Sequence, residues 1–450
     1  MTRAHLLDRL IGDEMPPLRT AAEVASFETI PYIDRIAAQS TFDVLRLSTA
    51  HDPDAAAFHF LQNADPDETP RTITYAQFLS RVTQAANFFT ELGVGRDDVV
   101  SLLLPLLPQT FFAQFGAQVA GIVNPVNPLL SPGQIAAILR AAKSKVLVAL
   151  GPAPGSDIWE KVQRIKGELP DLKAIVVVHG AADAADGAIS FDASIDAYPT
   201  DHLTCGRHIA AEDTAAYFHT GGTTGAPKLV RHTHRNQVYH AWAMGLMMPV
   251  SKGRTFLFGL PLFHVGGALT HCLAALGGGG ALVVVSPAGW RDPKAMRNVW
   301  RLVERYKPFV FAGVPTVFGA ALNVPSAGAD VSSIGCLGVG GSALPVAIGK
   351  AYFEWLGTPV LEGYGMTETS SVHTFSYARR PLRLGSVGHG MPYSKVRVVK
   401  VDAGGGTLPR RLCDQRNRCG GDGGAGRLLG LPRRSAQPGR VRRTRVGELG

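Results

Sequence analysis

Cysteine is scarce. The 450-residue chain has five, Cys205, Cys272, Cys336, Cys413 and Cys419, with no paired spacing and no CxxC. Such a set excludes a disulfide framework and suits a reducing, cytoplasmic setting. A membrane-spanning run is also missing. The longest charge-free stretch, Val99–Leu139, is broken by Pro105, Pro108, Pro125, Pro128 and Pro132, whereas a spanning helix needs about 20 apolar residues in register. No integral membrane segment is therefore expected. The N-terminus, MTRAHLLDRLIGDEMPP, carries acids where a signal peptide would be apolar, and there is no repeat of 20–50 residues. Charged residues make up only 18% of the chain, while apolar types make up 46%, a globular composition rather than a disordered one.

The net charge of +9 suggests nucleic acid until it is located. Gly404–Gly450 holds 11 Arg, no Lys and 3 acids, which leaves the preceding 403 residues at +1. The body is nearly neutral, so no nucleic-acid partner is expected of it. A basic arm that binds polyanions through the tail stays open as an alternative.

Short apolar runs read as strands at Val99–Leu104, Ile122–Pro125, Val146–Leu150, Ala174–Val178, Ala215–His219, Thr255–Gly259, Ala281–Val285, Phe309–Ala312, Cys336–Val339, Pro359–Glu362 and Val396–Val401. Fully apolar strands belong to sheets covered on both faces. Between them lie helical stretches, one starting at Ser131 with Pro132 in first position and Gln134 placed to close a capping box. This alternation predicts a mainly parallel α/β fold. Gly266–Ser286 reads as a buried helix and then a strand, and Gly180–Gly187 as a surface loop.

The sharpest motif is Tyr217-Phe-His-Thr-Gly-Gly-Thr-Thr-Gly-Ala-Pro-Lys228, entered from a strand. Glycine lets successive N–H groups turn toward one point. The threonine hydroxyls add neutral donors and Lys228 adds a mobile positive charge, a set that suits a triphosphate. The pattern is not GxxxxGK followed by Ser or Thr, because Pro227 precedes the lysine and Leu229 follows it. The bland alternative is a Gly/Thr-rich turn that binds nothing.

This segment resembles the phosphate-binding signature of the adenylate-forming superfamily of acyl-CoA synthetases, luciferases and peptide-synthetase adenylation domains, Thr-Ser-Gly-Thr-Thr-Gly-x-Pro-Lys-Gly. It departs from it at Gly221 and Leu229. The resemblance implies that Thr220, Gly221, Gly222, Thr223, Thr224, Gly225 and Lys228 hold ATP. Pro261-Leu-Phe-His-Val265 is similar to the family's next loop and makes His264 the candidate beside the acyl carboxylate; a hydrogen-bonded loop histidine is the alternative. Gly338-Val-Gly-Gly-Ser-Ala-Leu-Pro345 resembles the loop that passes the adenine and offers Gly341, Ser342 and Ala343. Leu361-Glu-Gly-Tyr-Gly-Met-Thr-Glu368 resembles the motif in which Glu362, Gly363, Tyr364, Gly365, Met366 and Thr367 line the nucleotide. There Tyr364 would stack on adenine, Thr367 would donate to the α-phosphate, and Glu368 with Thr224 would hold Mg²⁺. Gly385-Ser-Val-Gly388 matches the following segment, and the resemblance covers about residues 25 to 402.

The implied fold is the large N-terminal domain of the acyl-CoA synthetase/luciferase fold, with mainly parallel sheets flanked by helices and a small β subdomain towards the C-terminal end. The implied catalytic residues are Lys228, His264, Thr367 and Glu368. The reaction would activate a carboxylic acid, of the fatty type, with ATP and pass it to coenzyme A. A carrier protein as acceptor, or a non-catalytic nucleotide-binding relic, are the alternatives.

Beyond residue 403 the family's Thr-Gly-Asp loop, hinge and lid lysine are not found, so an AMP-binding domain over 1–403 and a disordered Gly/Arg-rich tail over 404–450 are expected. The tail is compatible with a shifted reading frame. Asp414–Gly424 admits codons that, read one nucleotide later, spell TNEIGVVAMAG, similar to the family's strand at that place. On this reading nucleotide binding persists and catalysis is impaired.

Overall fold

The computed structural model describes residues 18–179, 187–220, 227–248, 253–377 and 380–397. The expected strand Val396–Val401, the loop Gly180–Gly187 and the tail from Gly404 lie wholly or largely outside these, as do Gly221, Gly222, Thr223, Thr224 and Gly225. The chain divides into Met1–Pro392 and Tyr393–Gly450, upstream of the composition shift at Gly404. All that follows concerns the first unit.

Sixteen strands are described: β1 (Ala56–Phe60), β2 (Arg71–Thr74), β3 (Val99–Leu103), β4 (Ile122–Pro125), β5 (Ser144–Leu150), β6 (Ala174–Val178), β7 (Ile189–Ser190), β8 (Thr214–Thr220), β9 (Lys228–Thr233), β10 (Thr255–Phe258), β11 (Ala281–Val284), β12 (Val310–Gly313), β13 (Cys336–Val339), β14 (Val360–Met366), β15 (Ser371–Phe375) and β16 (His389–Gly390). They form a seven-stranded sheet, β7-β6-β5-β3-β4-β8-β9, and a nine-stranded sheet, β16-β15-β14-β13-β12-β10-β11-β1-β2. The central pairs are parallel. Antiparallel pairs occupy the edges, β8–β9 in one sheet and β1–β2, β14–β15 and β15–β16 in the other.

Crossover helices explain the burial of these strands. Helix α1 (Tyr75–Glu91) packs on α2 (Pro108–Ala120), all thirteen residues of which are buried. Gly116 makes that approach possible, since a Cβ there would stand 2.7 Å from the Ala85 Cβ. Helix α3 (Pro132–Ala141) starts with the expected capping box: Ser131 Oγ accepts from Gln134 N, and Gln134 Oε1 accepts from Ser131 N. Helix α4 (His234–Met247) follows β9 and is almost wholly buried. The apolar stretch after β10 differs from the expected plain helix. Gly266–Leu273 is a π-helix, which passes into one α-turn at Ala274–Gly277. Such wide turns are frequent at functional sites.

Candidate functional site

A cavity of about 800 Å³ opens between the sheets. The ends of β3 and β4 supply Leu102, Leu104 and Pro125. The larger sheet supplies Gly259–Gly267, Gly313 and Val314, Gly338–Ser342 and, from β14, Gly363 and Gly365–Thr367. Parallel strands end here together, which is where open α/β sheets place ligands.

The structure gathers His264, Gly341, Ser342, Gly363, Gly365, Met366 and Thr367 in this wall. His264 is exposed beside Phe263, with ring centroids 4.8 Å apart. Gly341 sits at φ +85°, a conformation most side chains resist. Ala343, next along, is exposed and outside the wall. Tyr364 is 51% exposed and has no aromatic partner among the described residues, so a face of its ring is open to a flat ligand. Glu368 is exposed and forms no ion pair among the described residues. Mg²⁺ takes oxygen ligands, keeps several waters and uses one or two carboxylates with the substrate's phosphates. A single free carboxylate beside Thr367 fits that demand.

Glu362 has another task. It is 6% exposed, and its two carboxylate oxygens accept from Leu344 N at 3.4 Å and Gly385 N at 3.1 Å. Burial raises its pKa, and those two hydrogen bonds oppose the rise. It thus ties the Gly340–Pro345 loop and Gly385 to β14.

Thr220 and Lys228 face each other as the last register pair of the β8–β9 hairpin, and the phosphate motif runs between them. The join between this hairpin and the Tyr364–Glu368 motif was not foreseen. His232, 1% exposed on β9, donates from Nε2 to the Thr367 carbonyl at 2.7 Å, across 135 residues of chain. Burial lowers the pKa of this ring, and its bond to Thr367 and the Glu368 charge oppose the shift. The neutral ring therefore fixes the turn carrying Thr367 and Glu368 against the strand that begins at Lys228. The string Arg-His-Thr-His-Arg contains this residue, but nothing local shows which of its two histidines crosses between the sheets.

Two further buried histidines, His234 and His240, and a half-buried one, His271, leave no mark in the sequence pattern. His234 accepts from Thr41 N through Nδ1 at 3.2 Å. His240 Nε2 lies 3.0 Å from Thr270 Oγ1, which lies 2.7 Å from Ser371 Oγ. His271 donates from Nδ1 to the Gly266 carbonyl at 2.8 Å.

The two-sheet layout and its strand-end cavity are those expected of the adenylate-forming class. A model of the AMP-binding enzyme family matches residues 45–415, and the chain belongs to that family. It is 32% identical over 403 residues to a marinolic acid–CoA ligase of a Pseudoalteromonas species, covering 88% of this chain and 61% of that protein. A long-chain-fatty-acid–CoA ligase of Thermus thermophilus is 31% identical over 76% of this chain and 62% of its own length. The chain thus spans about three fifths of the length of these curated relatives. Among solved structures, an anthranilate CoA ligase in complex with anthranoyl-AMP superposes with a TM-score of 0.70 at 27% identity, covering 82% of this chain and 67% of that one. The N-terminal domain of FACL13 from Mycobacterium tuberculosis shares the fold, with a TM-score of 0.68 at 24% identity over 82% of this chain and 86% of that one.

Proposed function

We propose that the chain activates a carboxylic acid with ATP. A carboxylate oxygen attacks the α-phosphorus, the bond to the β,γ-diphosphate breaks, and acyl-AMP and pyrophosphate result. In the second step the sulfur of coenzyme A attacks the acyl carbon, its proton is lost, and AMP leaves. The observation that carries the reading is the His232–Thr367 bond, which holds the hairpin ending in Lys228 against the motif carrying Tyr364, Thr367 and Glu368.

Two anions must meet in the first step, so their repulsion has to be offset by fixed donors and cations. Lys228 and Thr367 are assigned to the phosphates, together with Gly221, Gly222, Thr223 and Gly225 from outside the described residues. Tyr364 is assigned to the adenine, Gly341 and Ser342 to its edge, and His264 to the acyl carboxylate. Mg²⁺, held by Glu368 and Thr224, would screen the phosphate charge. The rest of the cavity wall is mainly apolar, which supports a largely hydrocarbon acid of the fatty type. No described helix is long and apolar enough to cross a membrane, and the cytoplasm is the compartment we assign.

Exchange of labelled pyrophosphate into ATP tests the first step alone. Exchange should rise above the acid-free baseline when a panel of acids is added. Lys228→Ala should lower it by about 10²–10³, the usual cost of one preorganised electrostatic donor. Exchange indifferent both to acid and to Lys228 would overturn the reading.

A further inference from the structure

We infer that the acyl pocket recognises a hydroxyl group on its acid, which donates its one proton to His271 Nε2 or to Ser371 Oγ. This rests on the acid-activation reading above and names the class of acid: hydroxylated rather than plain hydrocarbon.

Much of the cavity wall is apolar, with Met248, Val314, Val317 and Phe375 among its residues. Thr270, His271 and Ser371 interrupt it. A polar atom in an apolar wall is costly unless it is partnered, so what each of these can still offer is informative.

His271 comes first. Its ring lines the cavity and its Nδ1 lies 2.8 Å from the Gly266 carbonyl. A carbonyl only accepts, so Nδ1 carries the proton. Burial keeps the ring neutral, with its pKa down to about 4. Nε2 is then a bare lone pair, and it has no partner among the described residues. The π-helix matters here, because the ring bonds to the carbonyl five residues back, where that helix begins.

Ser371 follows by the same logic. The His240 ring donates to the Val372 carbonyl. Its Nε2 faces Thr270 Oγ1, so Nδ1 is the donor and Nε2 the acceptor. Burial holds this ring neutral too, with its pKa down to about 3. Thr270 therefore spends its proton on His240, and its oxygen accepts the Ser371 proton at 2.7 Å. Ser371 Oγ has no proton left for the cavity, only lone pairs.

Both free polar sites in this part of the wall are thus acceptors. They call for a donor on the ligand. A hydroxyl meets that need without bringing a charge into the pocket, whereas a carboxylate or ketone offers these two acceptors only further lone pairs. Ser371 is held for this purpose in a conformation rare for its type, φ +92°, directly after Ser370 at φ +56°, and such outliers cluster at ligand sites.

The test uses non-hydrolysable acyl-sulfamoyl-adenosines, so that binding is read without turnover. One hydroxyl is walked along an octanoyl chain, a para-hydroxybenzoyl compound is added, and each is titrated calorimetrically beside its deoxy parent. At least one hydroxylated member should bind about tenfold or more tightly than its parent, since the parent leaves buried acceptors unpaired. Whichever of His271→Leu and Ser371→Ala removes the acceptor that takes the proton should abolish that difference, and binding of the deoxy parent by each variant reports that it is folded. Equal affinity within every pair, or a preference that survives both substitutions, would overturn the subsite while leaving acid activation intact. Failure of every compound to bind, hydroxylated or not, would reject the adenylation reading and the subsite with it.

Discussion

Gly365→Ala should abolish nucleotide binding and lower the melting temperature by several degrees. A Cβ at this position would stand 1.7 Å from the Ser371 carbonyl oxygen and 2.7 Å from the Val372 Cα. Both are backbone atoms, so no side chain can swing aside. The register between β14 and β15 already shifts between Tyr364 and Gly365, which leaves the two strands no slack at this point. Relief requires β15 to move as a unit. That movement would carry Ser371 away from Thr270 and break the turn in which Thr369 Oγ1 donates while accepting from Met366 N. Overpacking of this kind costs about 1–3 kcal/mol, but the binding loss should be larger, because Tyr364 and Thr367 flank the same turn. Differential scanning calorimetry and a Mg·ATP titration on the variant read the two effects separately. A variant that melts and binds like the parent chain would show that β15 is free to yield.

Acid should unfold the protein well above the pH at which its carboxylates protonate. His234 and His240 are at most 1% exposed, and His271 is largely buried. Burial lowers their pKa values to about 4, about 3 and about 4. The sign is fixed by linkage. These rings are protonated in the unfolded chain below its ordinary pKa near 6.5, while the folded chain keeps them neutral, so the unfolded state binds more protons throughout that window. Stability is therefore full above about pH 6.5 and falls as pH drops toward 4. Each ring costs up to about 1.4 kcal/mol per pH unit, so the three together cost up to roughly 4 kcal/mol per unit, against a typical total of about 5–15 kcal/mol. Geometry agrees with this sign. Protonation would turn His234 Nδ1 and His240 Nε2 from acceptors into donors, against Thr41 N and the Thr270 hydroxyl. Urea unfolding at pH 7.5, 6.5 and 5.5 checks it: the midpoint should fall steeply over the last step. Identical midpoints would show that the rings reach solvent.

Much of the fold was legible because parallel strands buried on both faces leave continuous apolar runs. Each such run from Val99 to Glu362 is a strand within a residue or two at most positions. Less legible were β1, β2 and β9, whose mixed composition reflects edge or near-edge places in the sheets, and the π-helix, whose width leaves no periodic mark. At the site, glycine-rich strings marked Gly341 and Gly363–Thr367 because close backbone approach demands that residue type. Glu362 was read with its neighbours as a nucleotide contact, but its carboxylate is occupied by two backbone N–H groups. The histidines were invisible for a different reason. His232, His240 and His271 gain their partners from segments up to 135 residues away or from the turn of an irregular helix, and single-sequence patterns carry no such information.

Calorimetric titration of Mg·ATP into the chain, repeated with Tyr364→Ala and with Lys228→Ala, tests the central claim most directly. We expect saturable one-site binding that weakens about tenfold without the aromatic face and also weakens without the Lys228 charge. No binding by the parent chain, or binding unchanged in both variants, would contradict the assignment of Tyr364 and Lys228 to an ATP site.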